Sequence, residues 1–166
     1  MTVASSLESD ANRRPPTVRR AGVDDIPELG RLRWSMTSEM RGATEDPMAF
    51  EERFAAFAGR ALADDRWAAV VAVRGQRLLG MLWVQLVERV PRPTEAPRWS
   101  FAYVTSVFVE AEERNRGLGR LILDAAIAWA REGAADTEIL LWPSERSVPF
   151  YERAGFRRSE AYGLEP

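Results

Sequence analysis

The heptapeptide RNRGLGR, residues 114–120, lies between an apolar run that ends at Val109 and an amphipathic run that begins at Leu118. A strand, a glycine-rich turn and a helix in succession leave main-chain N–H groups without helical partners, and the helix dipole favours negative charge there. Gly117 and Gly119 let the backbone approach a ligand, and three arginines add positive charge. Taken alone, the stretch fits an anion-binding turn and a structural corner with surface arginines equally well.

The composition limits the chemistry available to the chain. The 166 residues include no cysteine and no histidine, and all 23 basic residues are arginine. This excludes disulfides, thiolate chemistry, a histidine base, a lysine Schiff base and a lysine-type phosphate loop. The net charge of −2 gives no general attraction to nucleic acid, and histidine, the commonest metal ligand, is missing. We therefore expect neither a nucleic-acid partner nor a bound metal.

The start of the chain has no apolar segment long enough for a signal peptide, and no later run is long enough to cross a bilayer. We expect a cytoplasmic protein that makes no membrane contact. Its predicted organisation is a flexible tail over residues 1–17 and a single domain over residues 18–166.

Hydrophobic periodicity predicts a mixed α/β fold. Helices are indicated where apolar residues recur every three or four positions, and strands where β-branched and aromatic residues run together between turn signals. The predicted elements are a strand at 17–22, helices at 23–40 and 46–62, strands on either side of Gly75, a strand at 100–110, a helix at 118–133, a strand at 137–144, a helix at 147–155 and a strand at 156–166. The order β-α-α-β-β-β-α-β-α-β makes part of the sheet parallel.

Three segments leave a choice between packing and function. Phe50, Phe54 and Phe57 recur on one face of the second helix, which favours the core over a substrate channel. Gly80, inside a predicted strand, indicates a bulge or a close backbone approach. The proline-rich stretch at 91–99 predicts an irregular loop that either gates a site or only connects strands.

A second motif follows the glycine-rich turn. SERSVPFYERAGF, residues 144–156, predicts a short helix with Tyr151 near its middle and Gly155 at its end. Together the two motifs resemble the acyl-CoA-binding signatures of the GCN5-related N-acetyltransferase (GNAT) superfamily over roughly residues 104–157. The matching positions are Val109, Arg114, Gly117 and Gly119 in VEAEERNRGLG, and Ser144, Ser147, Tyr151, Gly155 and Phe156 in the second motif.

The resemblance implies that acetyl-CoA is the acyl donor. Two sheet strands would splay apart to hold its pantetheine arm, and N–H groups of residues 114–120 would hold its pyrophosphate. The implied donor contacts are Val107, Phe108, Val109, Arg114, Asn115, Arg116, Gly117, Leu118, Gly119, Arg120, Ser144, Ser147, Phe150 and Tyr151. Ser144 departs from the asparagine that is frequent in this family, and its hydroxyl is expected to contact the donor or to cap the short helix.

The resemblance also implies a mechanism in which an amine attacks the thioester directly within a ternary complex. Tyr151 is the candidate acid that protonates the leaving sulfur, and packing against the donor is the alternative role for its ring. Many relatives carry acidic residues where this chain has Thr105 and Ser106, and a hydroxyl alone is a poor base at neutral pH. The base is therefore predicted to be a carboxylate elsewhere or water held by these hydroxyls. The candidate carboxylates are Glu39, Glu45 and Glu88.

The predicted acceptor is a primary amine, either a small molecule or a protein N-terminus. Candidates for the walls of its site are Trp34, Trp83, Trp99 and Trp142. A homodimer is common in the family and is expected here. The competing hypothesis is an acyl-CoA-binding sensor or assembly subunit without turnover. Loss of the strand carboxylates favours this alternative, whereas Tyr151 favours the enzyme.

Overall fold

The computed structural model describes residues 15–91, 93, 99–132 and 135–160. The strands among these residues form one sheet in the order β1-β2-β3-β4-β5, in which the first four are antiparallel neighbours and β5 runs parallel to β4. The strands are β1 (Thr17–Arg20), β2 (Trp67–Arg74), β3 (Arg77–Glu88), β4 (Trp99–Val109) and β5 (Ile139–Leu140), and the helices are α1 (Ile26–Arg41), α2 (Pro47–Leu62), α3 (Leu118–Arg131) and α4 (Val148–Arg153). This confirms the predicted mixed α/β class.

Local signals explain where the helices begin and how the hairpin turns. Asp46 caps α2, because its carboxylate accepts a hydrogen bond of 3.0 Å from the backbone N–H of Ala49, and Pro47 fits the first turn. Gly75 has φ of 61° in the tight connection between β2 and β3, a conformation that favours glycine. These features agree with the sequence-based prediction.

Each face of the sheet is covered by helices. On one face, α3 packs on alternating residues of β2 and β3, with Leu118, Ile122, Leu123, Ala126 and Ala130 buried. On the other face lie α1 and α2, whose Leu29, Leu32, Phe54, Ala58 and Ala61 join the second core. Burial of both faces accounts for the nearly continuous apolar sequences of the central strands.

A bulge divides β4 into two halves. Trp83 pairs with Thr105, whereas Met81 pairs with Phe108, so β4 contains one extra residue between these pairs. Ser106 lies at this point with φ of 52°, a left-handed conformation that is uncommon outside glycine. The bulge reverses which residues face α3: Val104 packs on that face before it, and Val107 and Val109 do so after it.

The sheet opens on the other side of the bulge. β4 pairs with β5 only through Ala102 with Ile139 and Tyr103 with Leu140. From Val104 onward, that edge of β4 has no strand partner among the described residues. The two strands therefore separate beside the bulge.

Three details differ from the predictions. Thr17, assigned to the tail, is the first residue of β1, while residues 1–14 lie outside the described part of the chain. The strand at 137–144 is reduced to two paired residues, because β4 and β5 diverge. Residues 156–160 form no strand, and 161–166 lie outside the described residues. Most of the proline-rich loop also falls outside them.

Two features are absent from the residues that the structure describes. No helix there is long and apolar enough to span a membrane. In the same part of the chain, no group of three or more acidic, histidine or cysteine side chains is arranged to hold a metal ion.

Candidate active site

The opening between β4 and β5 forms a cleft of about 330 Å³, here called the splay cleft. It follows β4 from Tyr103 to Val107, and α1 and the segment that precedes α4 close its sides. Its walls are formed by Arg33, Met36, Thr37, Met40, Arg41, Tyr103, Val104, Thr105, Ser106, Val107, Leu141, Trp142, Pro143, Ser144, Ser147 and Tyr151.

A second cavity of about 540 Å³, here called the aromatic cleft, lies between α1, α2 and the sheet. Six aromatic rings line it: Trp34, Phe50, Phe54, Phe57, Trp67 and Trp83. Four residues border both cavities: Arg33, Thr37, Thr105 and Ser106. The two clefts therefore meet at the β4 bulge, and both have the volume of a small-molecule site.

The arginines of the RNRGLGR turn are all bound to carboxylates. Arg114 makes a two-pronged ion pair with Glu39 on α1 and donates a hydrogen bond of 2.9 Å to the carbonyl of Val109. Arg116 lies 3.4 Å from Glu113, and Arg120 pairs with Asp124 one turn along α3 at 2.8 Å. The turn therefore presents much less free positive charge than its sequence indicates.

Buried carboxylates fasten this segment to the rest of the protein. Glu110 accepts hydrogen bonds from Arg31 at 2.7 Å and from Arg77 at 2.9 Å. Glu113 forms a two-pronged pair with Arg74, at 2.6 and 3.0 Å. Hydrogen bonds to charged groups are stronger than neutral ones, so these contacts hold the turn rigidly against the β2–β3 hairpin and α1.

The backbone of the turn has the shape of an anion-binding site. Asn115 and Gly117 have φ of 61° and 83°, and the first N–H groups of α3 follow directly. Successive N–H groups in such conformations point into one concavity. A Cβ at Gly119 would lie 3.6 Å from the ring of Phe150, so the second motif packs directly on the first.

Tyr151 lines the splay cleft from α4 and is only 8% exposed. The rings of Phe150 and Phe156 pack against it, with centroids 5.0 and 5.7 Å away. Burial raises the pKa of the Tyr151 phenol to about 12. The phenol therefore holds its proton at neutral pH, as a proton donor must.

Ser144 and Ser147 form a hydroxyl pair in the splay cleft. The Ser144 hydroxyl donates to that of Ser147 at 3.0 Å, and Ser147 donates to the Ser144 carbonyl at 2.9 Å. Ser144 makes no side-chain capping bond, so the predicted capping role is not what the structure shows. Its oxygen is instead available inside the cleft.

The candidate bases have different surroundings. Thr105 borders both clefts, as a residue that contacts an attacking amine would. Glu39 lines neither cleft, and its ion pair with Arg114 lowers the pKa of its carboxyl, which makes it a weaker base. Glu45 lines the aromatic cleft but is paired with Arg53, and Glu88 lines neither cleft.

Of the remaining predicted donor contacts, Val107 lies in the splay cleft. Phe108 packs in the second core beneath the Arg114 guanidinium, 5.5 Å from its ring centroid. Val109, Leu118 and Phe150 pack in the first core. None of these three, nor any residue of the turn, is among the walls of the splay cleft, and the turn lies beyond its end along β4.

Sequence reasoning missed part of the aromatic cleft. It assigned Phe50, Phe54 and Phe57 to the core, yet all three also line the cavity, and Phe57 is 38% exposed. It named Trp34 and Trp83 as candidate walls but not Trp67, and it attached no role to Arg33. Trp142 lines the splay cleft instead, and nothing is described of the Trp99 side chain. The available signal was the recurrence of phenylalanine on α2, together with single tryptophans on α1, β2 and β3.

Several solved structures share this arrangement of strands and helices. A predicted acetyltransferase from Clostridium acetobutylicum, solved with acetyl-CoA, superposes with a TM-score of 0.76 at 18% identity, covering 92% of this chain and 96% of that one. A GCN5-related N-acetyltransferase from Ralstonia eutropha superposes with a TM-score of 0.70 at 21% identity, covering 92% and 99%. At this identity the likeness shows a shared fold, which is that of the acetyltransferases.

The sequence itself identifies the family. The model of the acetyltransferase (GNAT) family matches residues 27–156, so the chain belongs to that family. No curated protein sequence matches the chain. The resemblance seen in the two motifs is therefore confirmed, and acyl transfer is the chemistry that the family supports.

Proposed function

We propose that this protein transfers an acetyl group from acetyl-CoA to a primary amine, with both substrates bound at once. The meeting of the two clefts at Thr105 and Ser106 carries the proposal, because donor and acceptor can enter from opposite sides and react at the bulge. Family membership and a neighbour solved with acetyl-CoA support the choice of donor.

The donor fits the residues that are present. Val107 and the unpaired edge of β4 offer backbone groups to an extended pantetheine arm, much as a strand edge binds a peptide. Ser144 and Ser147 add hydroxyls on the opposite wall. The backbone N–H groups of residues 114–120 suit the pyrophosphate, with Gly117 supplying the required positive φ. The arginine side chains of the turn mainly hold its backbone in place through their ion pairs.

Acetyl-CoA supplies an acetyl group already activated as a thioester. The amine nitrogen forms a bond to the carbonyl carbon, the carbon–sulfur bond breaks, and Tyr151 gives its proton to the departing sulfur. Backbone N–H groups near Val107 stabilise the negative charge that develops on the carbonyl oxygen. The products are the N-acetylated amine, the CoA thiol and one proton from the original ammonium, and Tyr151 regains its proton from solvent.

Removal of the ammonium proton does not require a carboxylate in the splay cleft. Its described walls contain none, and Glu45 in the aromatic cleft is paired with Arg53. We assign Thr105 to holding a water that carries the proton to solvent.

A thiol-release assay with acetyl-CoA and a panel of primary amines tests the proposal. We expect amine-dependent release that is accompanied by one equivalent of N-acetyl product, detected by mass spectrometry. Thiol release without an acetylated amine would contradict N-acetylation.

The second candidate is an acyl-CoA-binding sensor, which the lack of a carboxylate among the described walls of the splay cleft favours. Tight acetyl-CoA binding with no turnover on any amine would support it. The expectations of a cytoplasmic location and of a homodimer stay predictions.

A further inference from the structure

Arg33 is a half-buried cation at the junction of the two clefts. It lies on α1 between the buried Leu32 and the cleft residue Trp34, and it borders both cavities. Its guanidinium donates to the Met36 sulfur at 3.3 Å. Within the part of the chain that the structure describes, no carboxylate lies within ion-pairing distance of it.

The nearby acids are already occupied. Glu45 is paired with Arg53, and Glu39 with Arg114. Burial lowers the pKa of the Arg33 guanidinium, and the charge of Arg41 lowers it further. A guanidinium nevertheless stays charged in proteins. A desolvated charge is costly unless it is paired, so this position favours an anion that a ligand brings.

The cavity beside Arg33 is built for a flat apolar group. Its six rings form one connected cluster, from Trp34 and Phe50 with centroids 5.4 Å apart, through Phe54 and Trp83 at 6.3 Å, to Phe57 and Trp67 at 5.5 Å. Rings at these distances and tilts attract further aromatic groups by edge-to-face contact. The volume of about 540 Å³ exceeds what a simple alkylamine would fill.

We propose that the acceptor is an amine that carries a carboxylate and a bulky apolar or aromatic group, as an aromatic α-amino acid does. Arg33 binds the carboxylate, the aromatic cleft receives the ring, and the amine lies at Thr105. The inference rests on the proposed function and names the substrate class of that same site. Guanidinium is suited to it because its fork matches both carboxylate oxygens.

The first test compares L-phenylalanine with 2-phenylethylamine, which lacks only the carboxylate. We expect the wild-type protein to prefer phenylalanine in kcat/KM. Arg33→Gln should lower kcat/KM for phenylalanine by roughly 30-fold, the loss of a charge-assisted pair, and that for phenylethylamine by less than about 3-fold. Comparing the ratio of the two substrates between variants cancels their different amine pKa values. Equal losses on both amines would overturn the inference.

Arg60→Gln is the matched control, since it removes the same charge from an exposed position on α2 that lines neither cleft. It should leave the phenylalanine preference unchanged. Arg33→Lys keeps the charge without the fork and should retain part of the preference. It also keeps the test decisive if Arg33→Gln does not fold, which circular dichroism would show.

A binding measurement separates this inference from the proposed function. 3-Phenylpropanoate carries the ring and the carboxylate but has no amine to acetylate. We expect it to quench the tryptophan fluorescence of the wild-type protein and of Arg60→Gln, and to do so at least tenfold more weakly in Arg33→Gln. Arg33-dependent binding with no acetylation of any amine would overturn the proposed function and retain the anion site. Acetylation of carboxylate-free amines, with no binding of 3-phenylpropanoate, would support the proposed function and overturn the anion site at Arg33.

Discussion

The glycine-rich turn at 114–120 and the aromatic cleft hold their arginines in opposite ways. In the turn, Arg114, Arg116 and Arg120 each have a carboxylate partner, so the backbone N–H groups are what an anion would meet. Beside the aromatic cleft, Arg33 is half-buried and has no carboxylate partner among the described residues. A dense run of arginines therefore offers little unpaired charge, whereas one inconspicuous arginine has no carboxylate partner among the described residues.

Pairing and burial determine how strongly each arginine attracts an outside anion. Exposed ion pairs contribute little and are screened, and they reduce the attraction of each arginine for an outside anion. Burial has the opposite effect, because a charge with no partner binds an incoming anion more strongly. The donor site is thus expected to depend on backbone shape, and the acceptor site on a single side chain.

The largest effect should follow a change in the backbone of the turn. Gly117→Glu places a Cβ at φ of 83° and a carboxylate beside N–H groups that would bind phosphate. We expect the Kd for acetyl-CoA to rise by more than about 100-fold, measured by calorimetry. Gly59→Glu on α2, where a Cβ has open space, is the control. Unchanged acetyl-CoA affinity in Gly117→Glu would refute the backbone cradle.

Removal of the Tyr151 hydroxyl from the splay cleft should lower turnover and leave acetyl-CoA binding intact. Tyr151→Phe is expected to lower kcat by roughly 100-fold, the usual contribution of an acid, with little change in the Kd for acetyl-CoA. Because burial raises the pKa of Tyr151 to about 12, the wild-type kcat should show no alkaline loss from this group below pH 10. If Tyr151→Phe instead raised the Kd and spared kcat, its ring would only pack against the donor.

Substitutions of the ion-paired arginines Arg116 and Arg120 should change acetyl-CoA affinity least. Arg116→Gln and Arg120→Gln are each expected to change acetyl-CoA affinity by less than about 3-fold, because their charges are exposed and already bound to Glu113 and Asp124. These small changes in acetyl-CoA affinity contrast with the roughly 30-fold loss of kcat/KM for phenylalanine that is expected in Arg33→Gln. A tenfold weakening in either variant would mean that these guanidiniums leave their partners for phosphate.

The pair of Glu39 with Arg114 predicts a small dependence of stability on pH. Arg114 lowers the pKa of the Glu39 carboxyl in the folded state, so the pair stabilises the protein above the unfolded pKa of 4.5 and less so as pH falls. We expect Glu39→Gln to lower the Tm by roughly 1–3 °C near pH 7, and this difference should shrink as pH falls through the lowered pKa of Glu39 in the folded protein. Glu52→Gln, an exposed change on α2, should have no such effect. If the Tm of Glu39→Gln stayed equally far below that of the wild type at pH 3, the charge of Glu39 would not be the cause of the difference.

Much of the fold could be predicted because it depends on local signals. Helices α1 and α2 begin close to the predicted helix starts at residues 23 and 46, and the hairpin turns at Gly75 as predicted. The bulge at Ser106 could have been found as well. Its signal is the shift in alternation from Ala102 and Val104 to Val107 and Val109, on either side of the polar pair Thr105 and Ser106.

The site was less predictable, because its interactions join distant parts of the chain. Arg114 meets Glu39 across 75 residues, and Arg31 meets Glu110 across 79. No local pattern says which carboxylate will reach which guanidinium. The aromatic face of α2 was assigned to the core on periodicity, and only its position against α1 and Trp83 shows that the same rings also wall a cavity.

The family, the two motifs that carry the resemblance to it and the order of the elements as far as α4 follow from the sequence, because they depend on neighbouring residues and on backbone conformations that only certain residues adopt. Only the folded structure shows that Arg114, Arg116 and Arg120 have carboxylate partners, and that Arg33 has none among the described residues. It also decided that two cavities meet at the β4 bulge. Free charge and cavity shape depend on contacts between segments that only folding brings together.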